Sequence, residues 1–236
     1  KGDSTPAGAA GQWFAWWQAG RDPTQPWVKE VVSDQQPGAT NIHPADVNGD
    51  GKMDLVASRG HGVGVVWFER DNATATWTEH TIDGALREPH CLAAIDLDRD
   101  GDVDVATVAY GSELAMWYEN DGSQVFTPRT ITTAADGAHS AIAADVDGDG
   151  DLDVLSTSGY GDKVDWYENN GSQNFTAHNI ATAVDGAYNA IAADVDGDGD
   201  LDVISASFRD HTFAWYENLN PVPPSLDLNG AAGGTG

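Results

Sequence analysis

The feature of this sequence that most constrains its fold is an internal repeat that occurs four times. Each copy opens with alternating aspartates and carries a Trp placed 21 residues after its first Asp. The leading aspartates are Asp46, Asp96, Asp145 and Asp194, and the matching tryptophans are Trp67, Trp117, Trp166 and Trp215. Self-similarity with a period of 49 or 50 residues is typical of arrays built from one supersecondary unit. We therefore expect a single structural unit repeated along the chain.

The pattern inside the third copy predicts four short strands. Apolar residues at 141–144 lead into the Asp loop, and segments 152–158, 164–168 and 174–180 have strand-like patterns. The Asn-Gly pair at 170–171 favours a tight hairpin between the last two strands. Four antiparallel strands in a unit of this length are typical of a propeller blade. The sequence thus predicts an all-β fold, a β-propeller of four-stranded blades, with a β-solenoid of shorter coils as the structural alternative.

The repeat also predicts the domain organisation. The segment 14–16 matches 213–215, so the chain enters in the third strand of one blade and leaves after the third strand of another. The expected division is an N-terminal extension 1–12, a β-propeller 13–218 and a Pro/Gly-rich linker 219–236, with a partial blade 13–35, blades 36–86, 87–136 and 137–185, and a partial blade 186–218. About four to five blades would close a small ring by joining the chain ends, form part of a larger ring, or make an incomplete, open ring whose unpaired sheet edges could add strands from a second copy.

The charge balance restricts the partners of this chain. The 38 acidic residues outnumber the 11 basic ones and produce a formal net charge of −27, which would repel a nucleic-acid backbone. A composition that is 40% hydrophobic with nine Trp indicates a folded domain and not an acidic disordered tail. No apolar run is long enough to span a membrane. The single cysteine, Cys91, excludes an intrachain disulfide.

The Asp loops predict metal binding, since carboxylates at alternate positions of a tight loop can converge on one point. In the loop from Asp145, we expect four side chains and the carbonyl of Asp151 to act as ligands, with Gly150 allowing the sharp turn. An all-oxygen donor set favours Ca²⁺ over Zn²⁺ and Mg²⁺. The predicted ligands of about four structural ions are Asp46, Asn48, Asp50, Lys52 and Asp54; Asp96, Asp98, Asp100, Asp102 and Asp104; Asp145, Asp147, Asp149, Asp151 and Asp153; and Asp194, Asp196, Asp198, Asp200 and Asp202. The first loop should bind most weakly because of Asn48 and Lys52.

With its DxDxDGxxD loops and WYEN motifs, the chain resembles the FG-GAP/VCBS repeat family of integrin-α-like calcium-binding propellers, over about residues 13–218. The resemblance implies a Ca²⁺ between the first and second strands of each blade. Rings of this family usually have more blades than this chain supplies. The segment 226–236 resembles the opening of a cadherin-like module in large secreted bacterial proteins, which implies an extracellular location. The sequons at Asn72, Asn170 and Asn174 would be glycan sites only in a eukaryotic secreted protein.

Two further sets of residues could carry function. His90 and His139 lie six residues before the leading Asp of their repeats, where the others have Thr40 and Tyr188, so we expect these four on one rim of the propeller. This rim is a possible ligand site; His43 belongs to a different register, and His61 and His211 lie in or near loops between second and third strands. The five tryptophans of the repeated register, Trp16, Trp67, Trp117, Trp166 and Trp215, are expected to pack between blades.

These observations predict a non-enzymatic, calcium-stabilised extracellular module for adhesion to a protein or glycan on a cell surface or matrix. No nucleophile–base–orienter set accompanies the histidines. One alternative is a carbohydrate-binding lectin or a polysaccharide lyase that uses His90, His139 and Tyr188. Another is a filament assembled head to tail through open blade edges.

Overall fold

A computed structural model describes residues 13–71 and 73–219. Within these two ranges the chain forms 17 strands and one 3₁₀ turn at Tyr110–Ser112. The predicted extension 1–12, the sequon residue Asn72 and the cadherin-like segment 226–236 lie outside the described residues. In the described ranges, no helix has the length and hydrophobicity needed to cross a membrane.

The strands form five antiparallel sheets, in which neighbours along the chain are neighbours in space. The first sheet contains β1 (Phe14–Gln18) and β2 (Val28–Ser33); the second β3 (Asn41–Ala45), β4 (Asp54–Ser58), β5 (Val63–Asp71) and β6 (Thr76–Arg87); the third β7 (Pro89–Ile95), β8 (Asp104–Ala109), β9 (Leu114–Asn120) and β10 (Phe126–Thr132); the fourth β11 (Ala138–Ala144), β12 (Asp153–Ser158), β13 (Lys163–Asn169) and β14 (Phe175–Ala181); and the fifth β15 (Ala187–Ala193), β16 (Asp202–Ser207) and β17 (Thr212–Tyr216). The all-β, propeller-like prediction is confirmed.

The fourth sheet shows how closely the repeat pattern predicts its strands. All four expected strands are present and in the expected order, and their ends differ from the expected ones by at most three residues. The largest difference is at the start of β11, which reaches back to Ala138 because that residue pairs with Ser158 of β12. The division of the chain into a domain, partial blades and a linker stays a prediction.

Adjacent sheets pack through the aromatic residues of the repeated Trp-Tyr motif. Trp117 is only 2% exposed and lies in a cluster with Val154 and Tyr167 of the following sheet. Tyr118 points the opposite way, into a cluster with Trp67 of the preceding sheet. Because successive side chains of a strand alternate between faces, one Trp-Tyr pair joins a sheet to both of its neighbours. The predicted packing of the repeated tryptophans between blades is confirmed here.

The fifth sheet departs from this pattern. Trp215 is 49% exposed and Phe213 is 85% exposed, although Val164, at the position of Phe213 in the fourth sheet, is fully buried. The difference arises because no described residues form a sheet against the outer face of the fifth one. Whether the repeated Trp is buried therefore depends on whether a sheet packs against it, and not on the sequence motif in which it lies.

The antiparallel order places two kinds of loop at opposite ends of each sheet. The Asp loop joins the first and second strands, and the hairpin between the third and fourth strands lies beside it, as Gly122 does beside Asp102. The loop between second and third strands lies at the other end, together with the start of the first strand. A seven-residue strand separates these ends by roughly 20 Å. Any site at one end is therefore well separated from a site at the other.

Candidate metal loops and an aromatic rim

In three of the four Asp loops, three of the four predicted ligand side chains lie close together. In each, one oxygen from each of three aspartates lies within 4.8 Å of the others. The three groups are Asp96, Asp98 and Asp104; Asp145, Asp147 and Asp153; and Asp194, Asp196 and Asp198. Like charges this close repel each other unless a cation or protons neutralise them. These groups could therefore hold a metal ion.

The backbone of each loop is shaped by its own aspartates. In the second loop, the amide of Asp100 donates to Asp98 at 3.2 Å, and the amide of Gly101 donates to Asp96 at 3.1 Å. Gly101 has a φ of 100° and the equivalent Gly150 a φ of 101°, a region that side chains disfavour. The expected requirement for Gly150 at the sharp turn agrees with this geometry.

The last Asp of each loop fastens the loop to the end of the third strand. The two carboxylate oxygens of Asp104 accept amide hydrogens from Leu97, at 2.9 Å, and from Asn120, at 2.8 Å. The same pair of bonds is made by Asp54, Asp153 and Asp202 in the other loops. Each oxygen keeps a second lone pair that can face a cation. The loop is thus held open around a common point by bonds to the sheet.

Burial changes the acidity of these carboxyl groups. Desolvation raises the pKa of Asp104 to about 7 and that of Asp153 to about 6. The pKa of Asp202 is lowered instead, because the amide of Asn218 donates to its carboxylate. Proton binding therefore competes with metal binding most strongly in the second and third loops.

Several loop oxygens are buried without a hydrogen-bond partner among the described residues. They include one oxygen each of Asp96 and Asp145, and both oxygens of Asp200. Buried polar atoms are rarely left unpaired, and carboxylate oxygens of this kind are the ligands that a hard cation prefers. The donor set therefore fits Ca²⁺.

The predicted carbonyl ligands differ between loops in where their side chains point. A Cβ on Gly171 would lie 2.4 Å from Oδ2 of Asp151, so that carboxylate faces the neighbouring hairpin and leaves its carbonyl for the loop. Asp102 faces Gly122 in the same way. The pKa of Asp200, in contrast, is raised to about 6 by burial and by the nearby Asp198 carboxyl group, so the Asp200 carboxyl group lies close to the cluster.

The first loop is the exception. Its Asp46 accepts an amide hydrogen from Gly51, as Asp96 and Asp145 do from the equivalent glycines, and a second one from Asp50. Lys52, however, forms an ion pair with Asp50 and raises the local positive charge. The weaker binding expected for this loop stays a prediction, and this ion pair is consistent with it.

The sequence did not reveal the residue that couples neighbouring loops. The side-chain amide of Asn120 donates to the carbonyl of Val103 in its own sheet and to that of Val47 in the preceding loop, at 3.1 and 3.3 Å. Asn218 likewise bonds Leu201 and Val146. In the sequence, the coupling residue is visible only as the Asn that ends the WYEN motif, at Asn120 and Asn218.

At the opposite end of the sheets, seven aromatic rings form a continuous row, which we call the aromatic rim. Its members are His61, His90, Tyr110, His139, Tyr160, Tyr188 and Phe208, and ring centroids of neighbours lie 4.5 to 6.0 Å apart. Three of these residues come from the starts of first strands and four from loops between second and third strands. Tyr160, Tyr188 and Phe208 are each about half exposed.

Of the four residues that the sequence analysis placed on this rim, His90, His139 and Tyr188 are members of the aromatic rim and Thr40 is not. His139 lies between His90 and Tyr188, at centroid distances of 4.8 and 4.5 Å. Thr40 lies at the same end, but its hydroxyl bonds Gly60 and it joins no ring contact. The additions are residues of the loops between second and third strands: His61, Tyr110, Tyr160 and Phe208.

The cations beside the rim are few and partly neutralised. The Arg209 guanidinium lies 5.2 Å from the ring of Tyr160 and 5.3 Å from that of Phe208. It also lies 3.6 Å from the Asp185 carboxylate. Burial lowers the pKa of His90, and burial with the nearby His90 charge lowers that of His139 to about 4. Both imidazoles are therefore neutral at pH 7.

A third concave region lies along the inner strands. His43, Cys91, Ser140 and Asn189 are the polar residues of a cavity of about 470 Å³, whose other walls are mainly alanines. The Ser140 hydroxyl donates to the Asn189 side chain at 3.3 Å. The cavity lies along the first strands of neighbouring sheets, and the aromatic rim lies at one end of it.

Comparisons with solved structures show the fold. The chain is similar to a lectin of Agrocybe aegerita, studied in its recognition of terminal N-acetylglucosamine, with 20% identity over 76% of this chain and 52% of that one (TM-score 0.54). It is also similar to an auxiliary nutrient binding protein of Bacteroides ovatus, with 10% identity over 82% and 48% (TM-score 0.55). The NanB sialidase of Streptococcus pneumoniae matches with 12% identity over 80% and 32% (TM-score 0.51).

The chain thus spans about half the length of the first two structures and a third of the sialidase. No curated protein matches the sequence. The FG-GAP-like repeat matches residues 46–107, 96–156 and 145–205, which together cover more than half of the chain. Because each match spans two successive Asp loops in a stack of repeated antiparallel sheets, the chain belongs to the FG-GAP-like repeat family.

Proposed function

We propose that this chain is a calcium-stabilised extracellular binding module. One Ca²⁺ would be held in each Asp loop by the side chains at the first, third, fifth and ninth positions and the carbonyl at the seventh. The ion would neutralise carboxylates that the fold forces together and hold the loop against the third strand. Calcium sites of extracellular modules typically bind with Kd values of about 10⁻⁴ to 10⁻³ M, which suits a compartment rich in Ca²⁺.

Calcium is expected to bind more weakly as the pH falls from about 8 to about 6. The pKa values of about 7 for Asp104 and about 6 for Asp153 mean that protons occupy these carboxyl groups at the lower pH. Since the raised pKa values exceed those of the unfolded chain, the calcium-free fold also loses stability as the pH rises through this window. Titration calorimetry in buffers of different ionisation enthalpy would detect the released protons. Equal affinity at both pH values, with no proton release, would contradict the competition.

The aromatic rim is the surface that we propose for binding. The observation that carries this proposal is the row of half-exposed rings at the end opposite the Asp loops. Contiguous exposed aromatic side chains on a folded protein usually mark an interaction site. Pyranose rings stack on such faces, and the Asp162, Asp185 and Arg209 side chains around the rim are polar groups for sugar hydroxyls. A neutral glycan on a cell surface or matrix fits this chemistry best.

Replacement of Tyr188 by Ala is expected to lower the affinity for a rim-bound glycan at least tenfold, because it removes a half-exposed ring that stacks on His139. A glycan array on the calcium-loaded protein would identify the ligand, and titration of the variant would measure the loss. Trp27→Ala is the matched control, since Trp27 is 53% exposed but lies near β2, away from the rim.

Equal affinity of Tyr188→Ala and the parent chain would place the glycan elsewhere. An array without any hit, together with capture of a protein ligand that Tyr188→Ala abolishes, would assign the rim to a protein partner. Release of unsaturated sugar products during the assay would overturn the non-enzymatic part of the proposal and favour a lyase.

A further inference from the structure

Three histidines that are far apart in the sequence meet on the aromatic rim. His61 comes from the loop between β4 and β5, His90 from β7 and His139 from β11, so each belongs to a different sheet. The ring centroids of His61 and His90 lie 4.9 Å apart, and those of His90 and His139 lie 4.8 Å apart. The rings of each pair are nearly perpendicular, at 89° and 87°. Rings at these angles meet edge to face and not face to face, and in the His90–His139 pair the two Nδ1 atoms approach each other.

The closest nitrogens of this cluster have the spacing of two ligands on one ion. Nδ1 of His90 and Nδ1 of His139 are 3.4 Å apart. Two Zn–N bonds of about 2.0 to 2.1 Å at a tetrahedral angle separate their nitrogens by about 3.3 to 3.4 Å. As a direct N–H···N hydrogen bond the separation is long, since such bonds are usually no longer than about 3.2 Å.

The surroundings leave both imidazoles available as ligands. A neutral imidazole keeps one nitrogen lone pair, which can bind a metal ion. Binding through both Nδ1 atoms needs only the tautomers with hydrogen on Nε2, so no proton has to leave. His61 is exposed and packs edge-on against His90, so an ion has access from the solvent, and the His61 side chain would have to turn toward the pair to become the third ligand. Tyr110 and Tyr188 pack on His139, at 5.0 and 4.5 Å, and hold its ring in place.

We propose that His90 and His139, with His61 as the third ligand, bind a borderline divalent transition-metal ion such as Zn²⁺. Nitrogen donors select this class of ion over Ca²⁺, which prefers oxygen. The site is separated from the Asp loops by the length of the strands, so the two kinds of metal occupy opposite ends of the sheets. The site shares the aromatic rim with the proposed glycan surface, but it uses the histidine nitrogens and not the faces of Tyr160 or Phe208, so a metal titration without glycan tests it separately.

Calorimetric titration of the calcium-saturated protein with ZnCl₂ is expected to show one site per chain. Replacement of Zn²⁺ by Co²⁺ should produce the intense visible absorption of a tetrahedral ion. His139→Ala and His90→Ala should each lower the Zn²⁺ affinity at least a hundredfold, and His61→Ala at least tenfold. His178→Ala is the matched control, because His178 stacks on Trp166 and bonds Glu168 on an outer strand, and it should leave the affinity unchanged.

Zn²⁺ binding that is equally strong in His139→Ala and the parent chain, or that excess Ca²⁺ abolishes, would overturn the proposal and assign the ion to other residues. Should a variant fail to fold, ¹⁵N NMR of the histidines in the parent chain decides the question. Zn²⁺ should shift the Nδ1 resonances of His90 and His139, and unchanged resonances at saturating Zn²⁺ would refute the site.

Discussion

Removal of calcium is expected to lower the melting temperature of this protein by more than about 20 °C. An ion that binds only the folded state stabilises it by about 2.7 kcal/mol per site at a hundredfold excess over Kd, or about 11 kcal/mol for four sites. For a chain of this size, each kcal/mol corresponds to about 2 to 4 °C in Tm. Calorimetric melts with Ca²⁺, with a chelator, and with Mg²⁺ added back would measure the effect.

Substitutions in one loop provide the control for this experiment. Asp145→Asn combined with Asp147→Asn should remove one of about four sites and reduce the calcium-dependent part of the Tm shift by about a quarter. Asp34→Asn changes the charge of an exposed residue after β2 and should leave the shift intact. Lys52→Asp, which replaces the partner of Asp50, should strengthen the first loop. A melt that chelation does not move would show that these loops are ordinary turns.

Trp117→Ala is expected to destabilise the fold by about 3 to 5 kcal/mol, the range for large aromatic residues removed from a core. Trp117 is 2% exposed and packs against Val154 and Tyr167 of the next sheet, so its loss opens a cavity between two blades. Urea unfolding followed by circular dichroism would measure the change in the free energy of unfolding.

Trp215→Ala is the matched control, because Trp215 has the same place in its repeat but is 49% exposed. Its loss should cost less than about 2 kcal/mol. Equal losses at the two positions would show that the outer face of the fifth sheet is covered in solution. If a second copy covers it, as in head-to-tail assembly, the effect of Trp215→Ala would depend on protein concentration.

Much of the fold could be predicted from local patterns. The strands β11 to β14 follow from alternating apolar residues and an Asn-Gly turn, whose effects act within a few residues. The Asp loops were predictable for the same reason, since neighbouring aspartates shape the backbone between Asp96 and Asp104 by themselves. The bonds of Asn120 to two successive loops could not be predicted, because they depend on the relative placement of neighbouring sheets.

The features of the candidate sites likewise fall into two groups, those that the local sequence determines and those that contacts between sheets determine. The sequence by itself determined that the chain is an array of antiparallel strands with an acidic loop in each unit, because the repeat encodes contacts that lie within one unit. Only the tertiary structure decided that His61, His90 and His139 meet, and that Trp117 is buried while Trp215 is not. Those outcomes depend on the rotation and spacing of neighbouring sheets, which arise from contacts between residues about 50 positions apart.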